Sequence, residues 1–267
     1  MGRFSGKVAL VTGSTQGLGE AVAERFVEEG LEGLMVTGRN PARGEAVAAR
    51  LADAGCRTVF VPADLARPEA ASDLIARTDQ EFGRLDILVN AAGDSHRGTI
   101  EDTDIELFDH LMAVNVRAPF MLMQGAIRVM RREGIEGSIV NIASVASHGG
   151  PPYLTAYSTT KGALVVLTRN VAHSVAWDRI RVNALNIGWM DSPAEHGIRE
   201  RFHGGNPAWL EEAEASQPFG RLLKTPEVAR AVAFLASGDS GMMTGAAVDF
   251  NQIVVGTEPG PAQRPDA

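Results

Sequence analysis

The sequence predicts an α/β fold, a doubly wound sheet of about seven parallel strands with helices on both faces. Three observations predict it. Short apolar, β-branched runs alternate strictly with helical stretches along nearly the whole chain. The strand candidates read as continuous apolar runs, as a sheet buried on both faces requires. The first of them passes into the first helix through a glycine-rich turn at residues 12–19.

Residues 7–12, Lys-Val-Ala-Leu-Val-Thr, make the first strand and end at glycine. Residues 17–29 follow as a helix, with Leu18, Ala21, Val22, Phe26 and Val27 at helical spacing and Gly30 as its stop. The alternation repeats with a strand at 34–37 and a helix at 42–54. A strand at 58–61 and a helix at 69–82 come next, with Pro68 suited to the first turn of that helix. A fourth strand spans 86–90. A long helical region covers 104–132, in which Pro119 is expected to mark a break or kink. The fifth strand is 138–142, followed by an almost wholly apolar helix at 157–177. The sixth strand is 181–186, a helix follows at 226–236, and the last strand is 246–250. Parallel strands joined this way need right-handed crossovers. No linker, repeat or charge run divides the chain, so residues 1–256 are expected to form one domain. Residues 257–267, with three prolines, read as a tail. Residues 189–219 fit no strand–helix unit and read as a lid or binding loop.

Composition narrows the function. The 267 residues are 45% hydrophobic, enough for a sizeable core, and the net charge is −8. Such a chain lacks the basic field that nucleic acid or an anionic membrane attracts, so neither is an expected partner. One cysteine, Cys56, excludes an internal disulfide. Six histidines show no metal-ligand spacing, and no metal is expected. No apolar run approaches the ~18 residues of a membrane span, and the first strand begins too early for a signal peptide. The expected setting is cytoplasmic.

The turn Thr12-Gly13-Ser14-Thr15-Gln16-Gly17-Leu18-Gly19 carries the first functional signal. Glycines there let the backbone approach a pyrophosphate, whose charge the N–H groups of the helix N-terminus would stabilise. The spacing Gly-x-x-x-Gly-x-Gly differs from the common Gly-x-Gly-x-x-Gly, but its place between strand and helix is that of a Rossmann-like dinucleotide site. Twenty residues beyond Gly19 the chain carries Arg39, followed by Asn40, where an NAD site tends to place an acid. A guanidinium there suits a 2′-phosphate. NADP(H) is therefore expected in preference to NAD(H), which stays possible.

Thr-Gly-x-x-x-Gly-x-Gly, Asn90-Ala91-Ala92-Gly93, Asn115, Ser144 and Tyr157-x-x-x-Lys161 together resemble the classical short-chain dehydrogenase/reductase family. The resemblance runs from residue 7 to about 250, with the motifs in order and thirteen residues from Ser144 to Tyr157. The chemistry is intelligible from the residues themselves. Tyr157 and Lys161 share a helix face, and a neighbouring ammonium is expected to favour the phenolate over a phenol of pKa ~10. Tyr157 would then exchange a proton with an alcohol or ketone, while the Ser144 hydroxyl holds the substrate oxygen. The resemblance implies that Lys161 also bonds the nicotinamide ribose and that Asn115 anchors a proton-relaying water. It also implies that Asp64 and Leu65 meet the adenine and that Asn90, Ala91 and Gly93 lie along its ribose. Gly188 and Ser192 would then belong to the nicotinamide loop. Three departures stand out: Ala91 for a second asparagine, Ile187 for a proline, and Val248-Asp249-Phe250-Asn251 for Val-Asp-Gly-Gly.

The substrate is expected near Ser144, His148, Tyr153, Trp189 and Met190, in surroundings that mix hydrogen-bonding groups with aromatics. A sugar, polyol or other hydroxylated small molecule fits that mixture. The expected activity is hydride transfer between a secondary alcohol and a ketone, in a homotetramer or homodimer. The rivals are a dehydratase or isomerase on the same scaffold, or a nucleotide-sensing protein.

Overall fold

A computed structural model describes residues 2–202 and 204–256. The sheet order explains where a ligand can sit. Seven parallel strands run in the order β3-β2-β1-β4-β5-β6-β9: β1 (Val8–Val11), β2 (Gly33–Gly38), β3 (Arg57–Pro62), β4 (Ile87–Asn90), β5 (Ser138–Ser144), β6 (Arg181–Ile187) and β9 (Ala247–Phe250). The order reverses between β1 and β4, and the crevice outside the carboxyl ends of such strands is the expected binding place in an open α/β sheet.

Alternation along each strand feeds two cores. Ala9, Val11, Leu34, Val36, Ile87 and Val89 point to one face, with helices α1 (Gly17–Glu28), α2 (Pro41–Asp53) and α9 (Thr225–Ala236). Leu10, Met35, Leu88 and Ile139 point to the other, with α3 (Ala70–Phe82), α5 (Ala118–Glu133) and the end of α6 (Thr155–Ser174). Both faces are covered, which is why the strands carry so few polar residues. Residues 257–267, expected as a tail, lie outside the described residues.

Three expectations need correction. The 104–132 region is not one helix kinked at Pro119. It is α4 (Ile105–Met112), a π turn at Ala113–Arg117, and α5, which opens with Pro119 near its start. Pro119 has no N–H to give the Asn115 carbonyl and its ring would crowd that carbonyl in a regular helix, so the wider turn falls just before it. The helix expected at 157–177 instead spans α6, ending at Ser174, and Trp177 sits almost fully exposed on a 3-10 turn. The segment at 189–219 is not irregular. It holds β7 (Met190–Asp191), α7 (Pro193–Phe202) and α8 (Trp209–Ala215), and β7 pairs in parallel with β8 (Leu223–Lys224). Its helix start is written in Ser192-Pro193-Ala194-Glu195: the Ser192 hydroxyl accepts the Glu195 N–H at 3.3 Å, with Pro193 at the first helical position.

Candidate active site

The glycine turn lies at the mouth of the crevice because nothing but glycine fits there. Gly13 and Gly17 have φ of 66° and 61°. A Cβ on Gly19 would lie 2.3 Å from the Gly13 carbonyl oxygen. Helix α1 begins at this turn with no side chain capping its N-terminus, leaving its first N–H groups directed at the cleft. Gly13, Thr15, Gln16, Gly17, Leu18 and Gly19 line the cleft. Ser14 does not: it is buried, donating to the Val11 carbonyl at 2.7 Å and accepting the Thr37 N–H at 3.0 Å, so it ties β1 to β2. The Thr12 hydroxyl does similar work toward β4, accepting the N–H groups of Ala91 and Ala92 at 3.0 Å each.

Arg39 lies exposed on the cleft rim with no side-chain partner among the described residues. Arg43, one turn into α2, lines the same cleft and donates to Gln16. Sequence reasoning missed this second guanidinium, which the start of α2, capped by Asn40, brings onto the rim beside Arg39. Asn40 is displaced from its expected role: its side chain accepts the Arg43 N–H at 3.0 Å and caps α2. Asp64 and Leu65 line the cleft, as do Ala91, Ala92 and Gly93. Asn90 lies beneath it, donating to Asn141 at 2.7 Å in a buried amide ladder that continues to Thr168. Gly188 is also off the cleft, because the Asn251 side chain fills the space beside it and its N–H bonds the Phe250 carbonyl. Ile187, Met190, Ser192 and Ala194 take that wall instead.

At the cleft floor, Tyr157 and Lys161 project from α6 one turn apart, while Ser144, which ends β5, is buried and off the cleft lining. The Ser144 hydroxyl accepts the Ala146 N–H at 3.1 Å and hydrogen-bonds Tyr157. Lys161 is 4% exposed; its Nζ donates to the Ile142 carbonyl at 2.8 Å and lies 5.7 Å from the centre of the Tyr157 ring. Burial pushes the Lys161 ammonium down to about 8. Burial also pushes the Tyr157 phenol above its ordinary value, opposed by the Ser144 hydrogen bond and the Arg97 charge and reinforced by Glu195 and Asp94. Burial thus opposes the effect expected of the lysine charge on the phenol.

Asn115 is buried and does not face the cleft. Its side chain accepts the Asp94 N–H at 2.9 Å and donates to the Asp94 carbonyl at 2.8 Å and to Thr160 at 3.1 Å. It therefore clamps the loop after β4 onto α6. The Asp94 carboxylate in turn meets His96 and His110, and His110 lines the cleft. No sequence spacing marked that pair, because α4 brings His110 to the loop only through the fold.

The expected substrate residues divide. Met190 lines the cleft. His148 turns instead toward Asp249 at 2.9 Å, beside Asn186, at the ends of β6 and β9. Tyr153 lies under the Arg97 guanidinium, 5.4 Å from ring centre to Cζ. Trp189 donates to Glu195 at 3.0 Å and is covered by Arg199. Each of these three is held by a charged partner outside the cleft lining. Among the described residues no helix is long and apolar enough to cross a membrane.

The fold and this floor define a Rossmann-like α/β protein with a Ser–Tyr–Lys cluster. Comparison with known proteins agrees. A family model described as Enoyl-(Acyl carrier protein) reductase matches residues 13–252. An uncharacterized oxidoreductase of Thermotoga maritima is 37% identical over 250 residues, covering 93% of this chain and 97% of its own. A 2-(R)-hydroxypropyl-CoM dehydrogenase of Xanthobacter autotrophicus is 35% identical, covering 91% of this chain and 96% of its own. A short-chain type dehydrogenase/reductase structure from Mycobacterium marinum matches with a TM-score of 0.83 at 29% identity, covering 93% of this chain and 95% of that one. The chain belongs to the short-chain dehydrogenase/reductase family of oxidoreductases, whose members in general use NAD(P)(H).

Proposed function

We propose that the protein interconverts a secondary alcohol and a ketone, using NADP(H) in preference to NAD(H). The observation that carries this reading is Tyr157 and Lys161 on the floor of a cleft, with Ser144 hydrogen-bonded to Tyr157 and the uncapped N-terminus of α1 at the cleft's other end. That terminus and the three glycines suit a pyrophosphate. Arg39 and Arg43 on the same rim suit a 2′-phosphate, and Asp64 and Leu65 a base. The bound nicotinamide supplies or takes the hydride at the substrate carbon.

The chain's own residues handle the proton. The Ser144 and Tyr157 hydroxyls hold the substrate oxygen, and Tyr157, protonated at neutral pH, gives its proton to that oxygen as a ketone is reduced. The reverse direction needs the phenolate, which accepts the alcohol proton, so it gains as pH rises. Lys161, charged below about 8, would steady the phenolate left behind and would help hold the ribose of a bound cofactor. Asn115 acts from behind, keeping Asp94 and α6 in register, and its main-chain carbonyl, lacking an N–H from Pro119, is suited to hold a water.

We read residues 1–256 as one catalytic unit and 189–219 as its substrate lid, now with helices of its own. A cytoplasmic setting and assembly as a homotetramer or homodimer belong to the same proposal. Exposed Phe108, Phe120 and Val166 on α4, α5 and α6 support the assembly. The name of the Xanthobacter relative, a dehydrogenase of a hydroxypropyl compound, supports the alcohol as substrate.

The test is nicotinamide absorbance change with both cofactors across ketones, sugars and polyols, with Tyr157→Phe as control. The variant is expected to bind cofactor normally and to lose turnover by roughly 10²- to 10⁴-fold. Near-normal turnover in the variant would sink the mechanism.

A further inference from the structure

Arg97 stands outside the lining of the nucleotide cleft, yet its charge acts on Tyr157 and the chemistry above does not use it. The loop after β4 holds it in place: the Gly98 N–H donates to the Tyr153 carbonyl at 2.9 Å, and Gly98 forms an isolated bridge with Leu154 just before α6. The guanidinium is thereby pinned between the face of Tyr153 and the lid helix α7. Only 12% of its side chain is exposed.

Its donors are largely unmet. Nε is buried without a hydrogen-bond partner. Nη1 reaches the Ser95 carbonyl only at 3.3 Å. Nη2 stands 3.7 Å from Glu195, beyond hydrogen-bond distance. Glu195 is meanwhile engaged by closer partners, accepting from Trp189 at 3.0 Å and Arg199 at 2.9 Å on its other oxygen. Two guanidinium groups thus share one carboxylate. A cation withdrawn this far from water is costly unless an anion and hydrogen bonds compensate it. Arginine's planar fork matches a carboxylate with two parallel bonds.

We propose that Arg97 binds a carboxylate on the substrate, so that the molecule turned over is a hydroxy or oxo acid whose carboxylate lies a few bonds from the reacting carbon. This rests on the alcohol–ketone reading, with Tyr157 at the reacting oxygen and Arg97 reading the far end. The charge of Arg97 also falls on Tyr157, where it opposes the effect of burial.

Two readouts separate the proposals. The first is turnover of lactate, 3-hydroxybutanoate and 4-hydroxypentanoate, each against its neutral amide. The second is calorimetric binding of 4-oxopentanoate and its amide to the enzyme saturated with oxidised cofactor, a complex that cannot react. The wild type is expected to favour one acid over its amide. In Arg97→Gln that preference should fall by about 10- to 100-fold, carried mainly by KM and by the binding constant. Arg97→Lys, which keeps the charge and loses the fork, should fall between the two. A wild type indifferent to the carboxylate in both readouts overturns the Arg97 assignment. So does an Arg97→Gln protein, folded by circular dichroism, that loses acid and amide alike. An intact carboxylate preference in binding, with no turnover of any compound, would leave Arg97's role standing and overturn the redox reading instead.

Discussion

The glycine-turn side of the cleft, proposed for the nucleotide, and the segment at 189–219, proposed as the lid, are built by different means. The nucleotide side is set by backbone: glycines that permit close approach, strand ends, and a helix start. The segment at 189–219 is set by polar side-chain pairs, some local, as Trp189 on Glu195 and His196 on Asp191, and some long-range, as Lys224 on Asp191. Backbone demands restrict residue type at fixed spacing, so they leave marks in a sequence. Long-range pairs among charged residues do not, since the same residues serve equally well on a solvated face.

The floor beneath both regions offers the largest test. Lys161 carries a pKa lowered from 10.5 to about 8 by burial. An unfolded chain therefore binds more protons than the folded one between those values, so stability rises with pH across that window and the full cost is felt below about 8. Lys161→Met is expected to destroy turnover yet to stabilise the apo protein at pH 7, by up to about 3 kcal/mol. It should also flatten the rise in stability between pH 8 and 10.5. Denaturant unfolding at pH 7 and pH 10 measures both, and a destabilised variant with an unchanged pH slope would contradict the burial argument.

On the nucleotide side, Arg39→Asp is expected to weaken NADPH binding by about 1.5–3 kcal/mol while sparing NADH. Fluorescence titration with both cofactors decides it; if NADPH affinity holds, Arg43 is the residue that reads the phosphate. The lid should respond least. Ser192→Ala removes the α7 cap at a cost of about 1 kcal/mol. Proteolysis at 193–215 should quicken more than global unfolding, and equal changes in both would mean that the lid is not a separable region.

The same contrast explains what could be read beforehand. All seven strands of the main sheet fell within a few residues of their predicted places, because a sheet covered on both faces demands apolar runs. Ser144, Tyr157 and Lys161 were legible as a spacing. What the spacing did not reveal was direction. Ser14, Asn90 and Asn115 belong to the same motifs yet turn into the protein, where they bond β1 to β2, β4 to β5, and the Asp94 loop to α6. A motif records that a residue is needed, not whether it is needed above the cleft or below it. The raised phenol of Tyr157 was missed for a related reason, since spacing counts the neighbouring charge and burial is a property of the whole fold.

The two-residue pairing of β7 with β8 has a consequence for how such a molecule can change. Met190 opposite Leu223 and Asp191 opposite Lys224 bring the two ends of the lid together, and the Lys224–Asp191 ion pair holds them there. A segment whose ends already meet can be lengthened, shortened or exchanged with little strain on the sheet, because each doubling of a closed loop costs only about 0.6 kcal/mol. The segment is therefore expected to behave as a cassette, exchangeable between residues 191 and 223 while the floor beneath it stays intact.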